Sequence, residues 1–164
     1  MLQLFAFLTT LNLAALIATA AMGYAAVGRV IPASVHTVAG VIALILCVAV
    51  HCIVFTYFMA TNKWAQHAML VKRLDPAMFV PSRSFRSRAF AAALVAMGAV
   101  FIAAMFGAWV DAHQSSPAFH QIAAMTAIFV NFLAALIEAR SIQGNGQLID
   151  GILAAIDQQN APAN

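Results

Sequence analysis

Four long apolar stretches, separated by shorter polar segments, are the main pattern in this sequence. They cover, approximately, residues 4–27, 35–60, 89–110 and 118–137. At a rise of about 1.5 Å per residue, a helix of each length crosses a hydrocarbon core of about 30 Å. Membrane-embedded backbone must satisfy its own hydrogen bonds, and the short alternating segments of a barrel are not seen. The pattern therefore predicts four transmembrane helices.

The polar segments carry signals for where these helices begin and end. Ser34 and Ser116 are the expected N-caps of the second and fourth helices, and Pro117 suits the first turn of the fourth. The run Gly144-Asn145-Gly146 is expected to interrupt the chain after the fourth helix. Beyond it, apolar residues within 148–156 recur at helical spacing and predict a short C-terminal amphipathic helix. Acidic residues beside them favour docking onto a protein over binding to anionic lipid.

The composition supports a membrane location and excludes two other classes of protein. Of the 164 residues, 64% are hydrophobic and 8% are charged, whereas a soluble domain is roughly half apolar and a quarter charged. So few ionic groups cannot cover a water-facing surface, and so many apolar side chains exclude disorder. We therefore predict an all-α integral membrane protein, with a four-helix transmembrane bundle at 1–142 and a C-terminal tail at 143–164.

The basic residues predict the orientation of the chain. Six of the eight lie in the 61–88 segment, expected to be a loop: Lys63, Lys72, Arg73, Arg83, Arg86 and Arg88. The positive-inside rule places this loop and both termini in the cytoplasm, as in a bacterial inner membrane or its equivalent. The loop also accounts for the net charge of +3 and is expected to attract anionic headgroups. The first stretch lacks a basic n-region and is about twice as long as a signal-peptide core, so we expect it to be retained.

Motifs of soluble enzymes are absent from the sequence. It contains no CxxC, CxxCH, Walker, GxGxxG or GxSxG pattern, and no evident internal repeat. Cys47 and Cys52 point in directions about 140° apart on one helix, which excludes a disulfide between them. Any chemistry is therefore expected inside the helix bundle or at its rims.

Polar residues within the apolar stretches fall on two matching stripes. His36 and His51 lie fifteen residues apart on the second helix, about 22 Å along its axis and about 60° apart in direction. His120, Asn131 and Glu138 share one face of the fourth helix. Since both helices run in the same direction, His36 is expected at the level of His120, and His51 between Asn131 and Glu138.

The first hypothesis is a b-type haem between the second and fourth helices, with His36 and His120 as ligands of the haem iron. The candidate cofactor-binding residues are His36, His51 and His120. The spacing of His36 and His51 on one helix resembles that of di-haem membrane cytochromes, which implies a second, deeper haem. A second deep histidine is missing, and Met97 or Glu138 would have to replace it, so one haem is favoured. Such a chain would be a small electron-transfer subunit of a larger redox complex.

The second hypothesis is a proton, quinone or metal site formed by His51, Asn131 and Glu138 in the inner half of the bundle. An ionisable side chain within a spanning helix is expected to be functional. The simpler alternatives are that Glu138 pairs with Arg140 or reaches the headgroups, and that His51 hydrogen-bonds to a neighbouring helix.

Two further alternatives stay open at this point. Asp111, His113 and His120 would suit a copper or zinc site near the 111–117 connection, because imidazole and carboxylate bind these metals. The chain would otherwise be a cofactor-free accessory subunit that stabilises a larger membrane complex. In both cases the expected partners are membrane lipid and other membrane protein subunits, and not nucleic acid.

Overall fold

The computed structural model describes residues 1–160, which form an all-helical bundle. The long helices are α1 (Leu2–Val27), α2 (Ala33–Lys72), α3 (Val80–Asp111) and α4 (Pro117–Asn160), and a 3-10 helix at Pro76–Phe79 precedes α3. The end of the predicted tail, 161–164, lies outside the described residues. Each long helix contains a stretch that is long and apolar enough to cross a membrane, so the prediction of four such helices is confirmed.

Short connections make successive helices of the bundle antiparallel. Loops 28–32 and 112–116 lie at one end, called here the two-loop end. Leu2 at the start of α1, Asn160 at the end of α4 and the 73–79 connection lie at the opposite end, called here the terminal end. Large apolar side chains are exposed on the outer faces of the helices, where lipid would contact them, among them Ile45, Phe101 and Phe129.

The α1–α2 and α3–α4 hairpins contain the same turn. Arg29 and His113 both have left-handed backbone conformations, with φ values of 58° and 57°. The residues that follow, Val30 and Gln114, each donate a backbone hydrogen bond to the carbonyl five residues earlier, at 2.9 and 2.8 Å. Equivalent positions in the two hairpins are 84 residues apart. The two halves of the bundle therefore repeat each other structurally, which the sequence analysis did not predict.

The two predicted helix caps have different outcomes. Oγ of Ser116 accepts a hydrogen bond from the N–H of Ala118 at 3.3 Å, as expected of an N-cap. The prediction for Ser34 is wrong, because α2 begins directly after Pro32, which has φ −62° and an extended ψ. The proline ring holds φ near the helical value. Because the side chain of Pro32 has no hydrogen-bond acceptor, this helix starts without a side-chain cap.

The predicted 61–88 loop is largely helical, and only 73–79 connect α2 to the helix that follows. The extension of α2 beyond its apolar stretch buries Ala65 and Met69 against Ile152 of α4. Loss of apolar composition therefore indicates where lipid contact would end, whereas the helix continues wherever one of its faces is buried.

Helix α4 passes through Gly144-Asn145-Gly146 without interruption, so the predicted break is wrong. A Cβ at Gly144 would lie 2.7 Å from Cζ of Phe85, so the glycine allows α3 to pack closely on α4. Residues 148–156 form the last turns of α4 and not a separate short helix. Within them Ile152 is fully buried against α2 and the 3-10 helix, while Leu153 is exposed.

Candidate functional site

A cavity of about 450 Å³ lies between all four helices in the half of the bundle nearest the two-loop end. Volumes of about 300–1,000 Å³ are typical of small-molecule and cofactor sites. Leu16, Ala43 and Ala127 line its deepest part, and Asp111 lines it at the two-loop end. Its other walls are made mainly of small residues, among them Gly23, Gly40, Ala103, Ala104, Gly107 and Ala124.

His36 and His120 both line this cavity, with ring centroids 5.9 Å apart and ring planes inclined by 67°. Nδ1 of His36 donates to the carbonyl oxygen of Thr19 at 3.1 Å, and Nδ1 of His120 donates to that of Ala103 at 2.9 Å. A carbonyl oxygen can only accept, so each Nδ1 carries a proton, and in the neutral ring this tautomer leaves the lone pair on Nε2. Within residues 1–160, no hydrogen bond occupies either Nε2.

This arrangement suits two-histidine ligation of one metal ion. Metal-binding histidines usually donate their other ring N–H to a carbonyl or carboxylate, which fixes the ring orientation. The ring centroids are 5.9 Å apart, so both imidazoles lie beside the same part of the cavity.

A glycine lies against each of the two imidazole rings. A Cβ at Gly23 would lie 3.1 Å from Cε1 of His36, and a Cβ at Gly107 would lie 3.1 Å from Cε1 of His120. In both hairpins the glycine precedes its histidine by 13 residues, and the carbonyl acceptor precedes it by 17. The sequence analysis selected the two histidines but missed this G-x12-H spacing, which is visible twice in the sequence.

The bundle interior also holds His51, Asn131 and Glu138, all of which are at most 2% exposed. Nδ1 of His51 lies 2.8 Å from Oε1 of Glu138, and its Nε2 lies 3.4 Å from Oδ1 of Asn131. Nδ2 of Asn12 and Sγ of Cys47 each lie 3.3 Å from the same Oδ1. We call these five residues the buried polar cluster. Glu138 therefore neither pairs with Arg140 nor reaches the bundle surface.

The amide of Asn131 is held in one orientation by the backbone. Its Nδ2 donates to the carbonyl oxygens of Ala127 at 2.9 Å and Ala96 at 3.3 Å, which can only accept. Oδ1 consequently faces His51, and a ring nitrogen contacts such an acceptor favourably only as an N–H, so Nε2 of His51 carries a proton. One further proton is then shared between Nδ1 of His51 and Oε1 of Glu138. As a result the His51–Glu138 pair is neutral overall, whichever partner holds that proton.

Two parts of the predicted sites are not assembled as expected. His51 does not line the cavity and both its ring nitrogens have partners, so the structure does not place it as a cofactor ligand. Met97 does not line the cavity either. The expected copper or zinc site is also not formed, because no three metal-binding side chains are grouped in the described chain. His113 is exposed in its loop, and Asp111 lines the cavity instead.

A second group of buried polar side chains, nearer the terminal end, was not predicted. Oγ of Ser82 lies within hydrogen-bonding distance of two acceptors, Oδ1 of Asn62 and Oδ1 of Asn145. The two oxygens share its one proton. Nδ2 of Asn145 donates to the hydroxyls of Tyr57 at 3.2 Å and Thr61 at 3.0 Å. The available signal was the spacing of Asn131, Glu138 and Asn145 by seven residues on α4, which continues the polar stripe by two turns.

No protein-family model, curated protein or solved structure matches this chain.

Proposed function

We propose that this chain is an integral membrane protein that binds one b-type haem between α2 and α4 and transfers electrons within a larger membrane redox complex. His36 and His120 would be the ligands of the haem iron, since haem proteins commonly use histidine. One observation carries the proposal. These two side chains offer free Nε2 atoms to one cavity while backbone carbonyls hold their Nδ1 atoms.

The walls of the cavity also suit a flat apolar macrocycle. Alanine and glycine side chains leave space between the helices, and the apolar lining would exclude water. A bound haem would supply a centre that accepts and releases one electron. The carbonyls of Thr19 and Ala103 would keep the two imidazoles oriented and make their Nε2 atoms more basic.

The proposed orientation places the terminal end of the bundle in the cytoplasm. The basic residues between 63 and 88 lie at this end, as does Arg140, and the positive-inside rule favours that arrangement. Both termini would then be cytoplasmic, and the haem would lie in the outer half of a bacterial inner membrane or its equivalent.

The test is a reduced-minus-oxidised visible spectrum of the protein purified in mild detergent from cells supplied with haem. We expect the sharp bands of a b-type haem in the wild type, and their loss in His36→Ala and in His120→Ala. His67→Ala is the matched control, because His67 is exposed on α2 outside the cavity and its replacement leaves the bands unchanged. A haem-supplied wild type without bands would refute the proposal.

The alternative is a cofactor-free accessory subunit of a membrane complex. It is supported by the edge-to-face arrangement of the His36 and His120 rings, which pack against each other across the two hairpins. In that case no haem bands appear, and His36→Ala weakens the association with the other subunits instead. Co-purification of those subunits with wild type and variant measures this.

A further inference from the structure

The buried polar cluster lies directly beneath the candidate haem cavity and contains a carboxyl group that can bind a proton. Cys47 and Asn131 are each one helical turn, about 6 Å, below the cavity-lining Ala43 and Ala127. Hydrogen bonds connect Asn131 to His51 and His51 to Glu138. The cluster therefore leads from the floor of the cavity to the one carboxylate buried in the described part of the bundle.

Glu138 has an unused oxygen. Its Oε1 contacts His51, whereas Oε2 is buried and has no hydrogen-bond partner within residues 1–160. A carboxylate oxygen is an acceptor, so the unpartnered Oε2 is a free site on this pair for a further proton. Since the His51–Glu138 pair is neutral when it holds one shared proton, a second proton on Oε2 would give the pair a charge of +1.

We infer that the His51–Glu138 pair takes up a proton from the aqueous phase, on Oε2 of Glu138, in a fraction of the molecules when the centre held by His36 and His120 gains one electron. This inference rests on the proposed function. The O–H bond at Oε2 is the one bond formed and none is broken. The electron comes from a one-electron reductant, and the proton balances its negative charge.

The strength of this coupling follows from distance and dielectric. His36 and His51 lie about 22 Å apart along α2, and the cavity extends toward His51 as far as Ala43. Unit charges about 22 Å apart at an effective dielectric constant of about 20 change an equilibrium about threefold to fourfold. The haem should therefore be reduced more readily at low pH, by about that factor, where tenfold corresponds to about 59 mV for one electron.

Other ionisable groups around the cluster are few. Asn12, the contribution of α1, is uncharged, and the thiol of Cys47 of α2, itself a member of the cluster, faces both Asn131 and His51. Arg88 of α3 and Arg140 of α4 line a separate small pocket and do not contact the pair. Asp111 lines the haem cavity itself, so it is the competing source of a pH-dependent potential.

The experiment is a potentiometric titration of the haem spectrum at several pH values for the wild type, Glu138→Gln and Asp111→Asn. We expect the wild-type and Asp111→Asn potentials to fall with rising pH by the same amount. In Glu138→Gln that fall should shrink by the threefold to fourfold contribution of Glu138, because the amide keeps the contact with His51 but cannot take up the proton.

A reduced-minus-oxidised infrared difference spectrum provides a second measurement. The wild type should show a protonated carboxyl band that Glu138→Gln lacks, and the wild-type spectrum remains informative where the variant fails to fold. Two outcomes overturn the inference and leave the proposed function intact. In the first, haem is bound but the carboxyl band is missing. In the second, the pH dependence of the potential is lost in Asp111→Asn and kept in Glu138→Gln. Absence of haem from the wild type overturns the proposed function itself.

Discussion

The imidazole rings of His36 and His120 lie with their centroids 5.9 Å apart, although 84 residues separate them in the sequence. Each ring belongs to one of two helical hairpins that share the same turn, the same glycine and the same backbone acceptor. The pairing of the two hairpins creates the site, because each hairpin supplies one histidine and one half of the cavity wall.

The glycines beside the rings should control haem binding. In Gly107→Ala the new Cβ would lie 3.1 Å from Cε1 of His120 and would displace the ring. Overpacking of this kind costs about 1–3 kcal/mol, which corresponds to about 5-fold to 150-fold weaker haem binding if the whole cost falls on the bound state. Haem content and affinity measure the effect. Gly98→Ala on the same helix is the control, since no atom lies within 4 Å of its Cβ position, and equal losses in both variants would contradict the prediction.

Gly144 should be required for the close packing of α3 on α4. In Gly144→Ala the Cβ would meet the ring of Phe85 at 2.7 Å, and we expect a loss of about 1–3 kcal/mol in the free energy of unfolding. Phe85→Leu should partly rescue it by removing the contacting ring. In Gly146→Ala the new Cβ would enter open space, and this substitution should instead stabilise the helix by about 0.5–1 kcal/mol. Denaturant titration in detergent distinguishes these outcomes, and a neutral Gly144→Ala would contradict the packing.

The unpredicted polar group near the terminal end should contribute to stability. Ser82→Ala removes the donor that two buried asparagine oxygens share, and leaving such groups unsatisfied costs about 1–3 kcal/mol. Ser84 lies on the same turn and is exposed, so Ser84→Ala should change the free energy of unfolding by less than about 0.5 kcal/mol. Thermal unfolding in detergent compares the two, and identical transitions would mean that the hydrogen bonds of Ser82 have no net effect.

The proposed orientation of the chain in the membrane can be tested by cysteine labelling. In a background with Cys47→Ala and Cys52→Ala, Gln114→Cys and Ser84→Cys each place one thiol at an exposed position, at opposite ends of the bundle. A membrane-impermeant maleimide applied to intact cells should label Gln114→Cys, and should label Ser84→Cys only after lysis. The reverse labelling pattern would mean that the proposed orientation is wrong and that the cavity lies on the cytoplasmic side.

The sequence was sufficient to predict the four helices and the depths at which the main polar residues lie along them. The long apolar stretches predicted the four helices because hydrophobicity is a property of each residue alone. Helical periodicity placed His120, Asn131 and Glu138 on one face, and the matched depths of the two stripes anticipated the contact of His51 with Glu138. Helix lengths were predicted less well. The break at Gly144 and the 61–88 loop were inferred from local signals that burial against other helices overrides.

What only the tertiary structure decided is how each polar atom is used. The sequence determined a chain with four apolar helices and histidines at two depths. It did not determine that the Nδ1 atoms of His36 and His120 are held by carbonyls on the preceding helices, or that Asn131 faces its Oδ1 toward His51. Those assignments depend on atoms from different helices meeting within hydrogen-bonding distance, which follows from helix packing and not from the periodicity of any single segment.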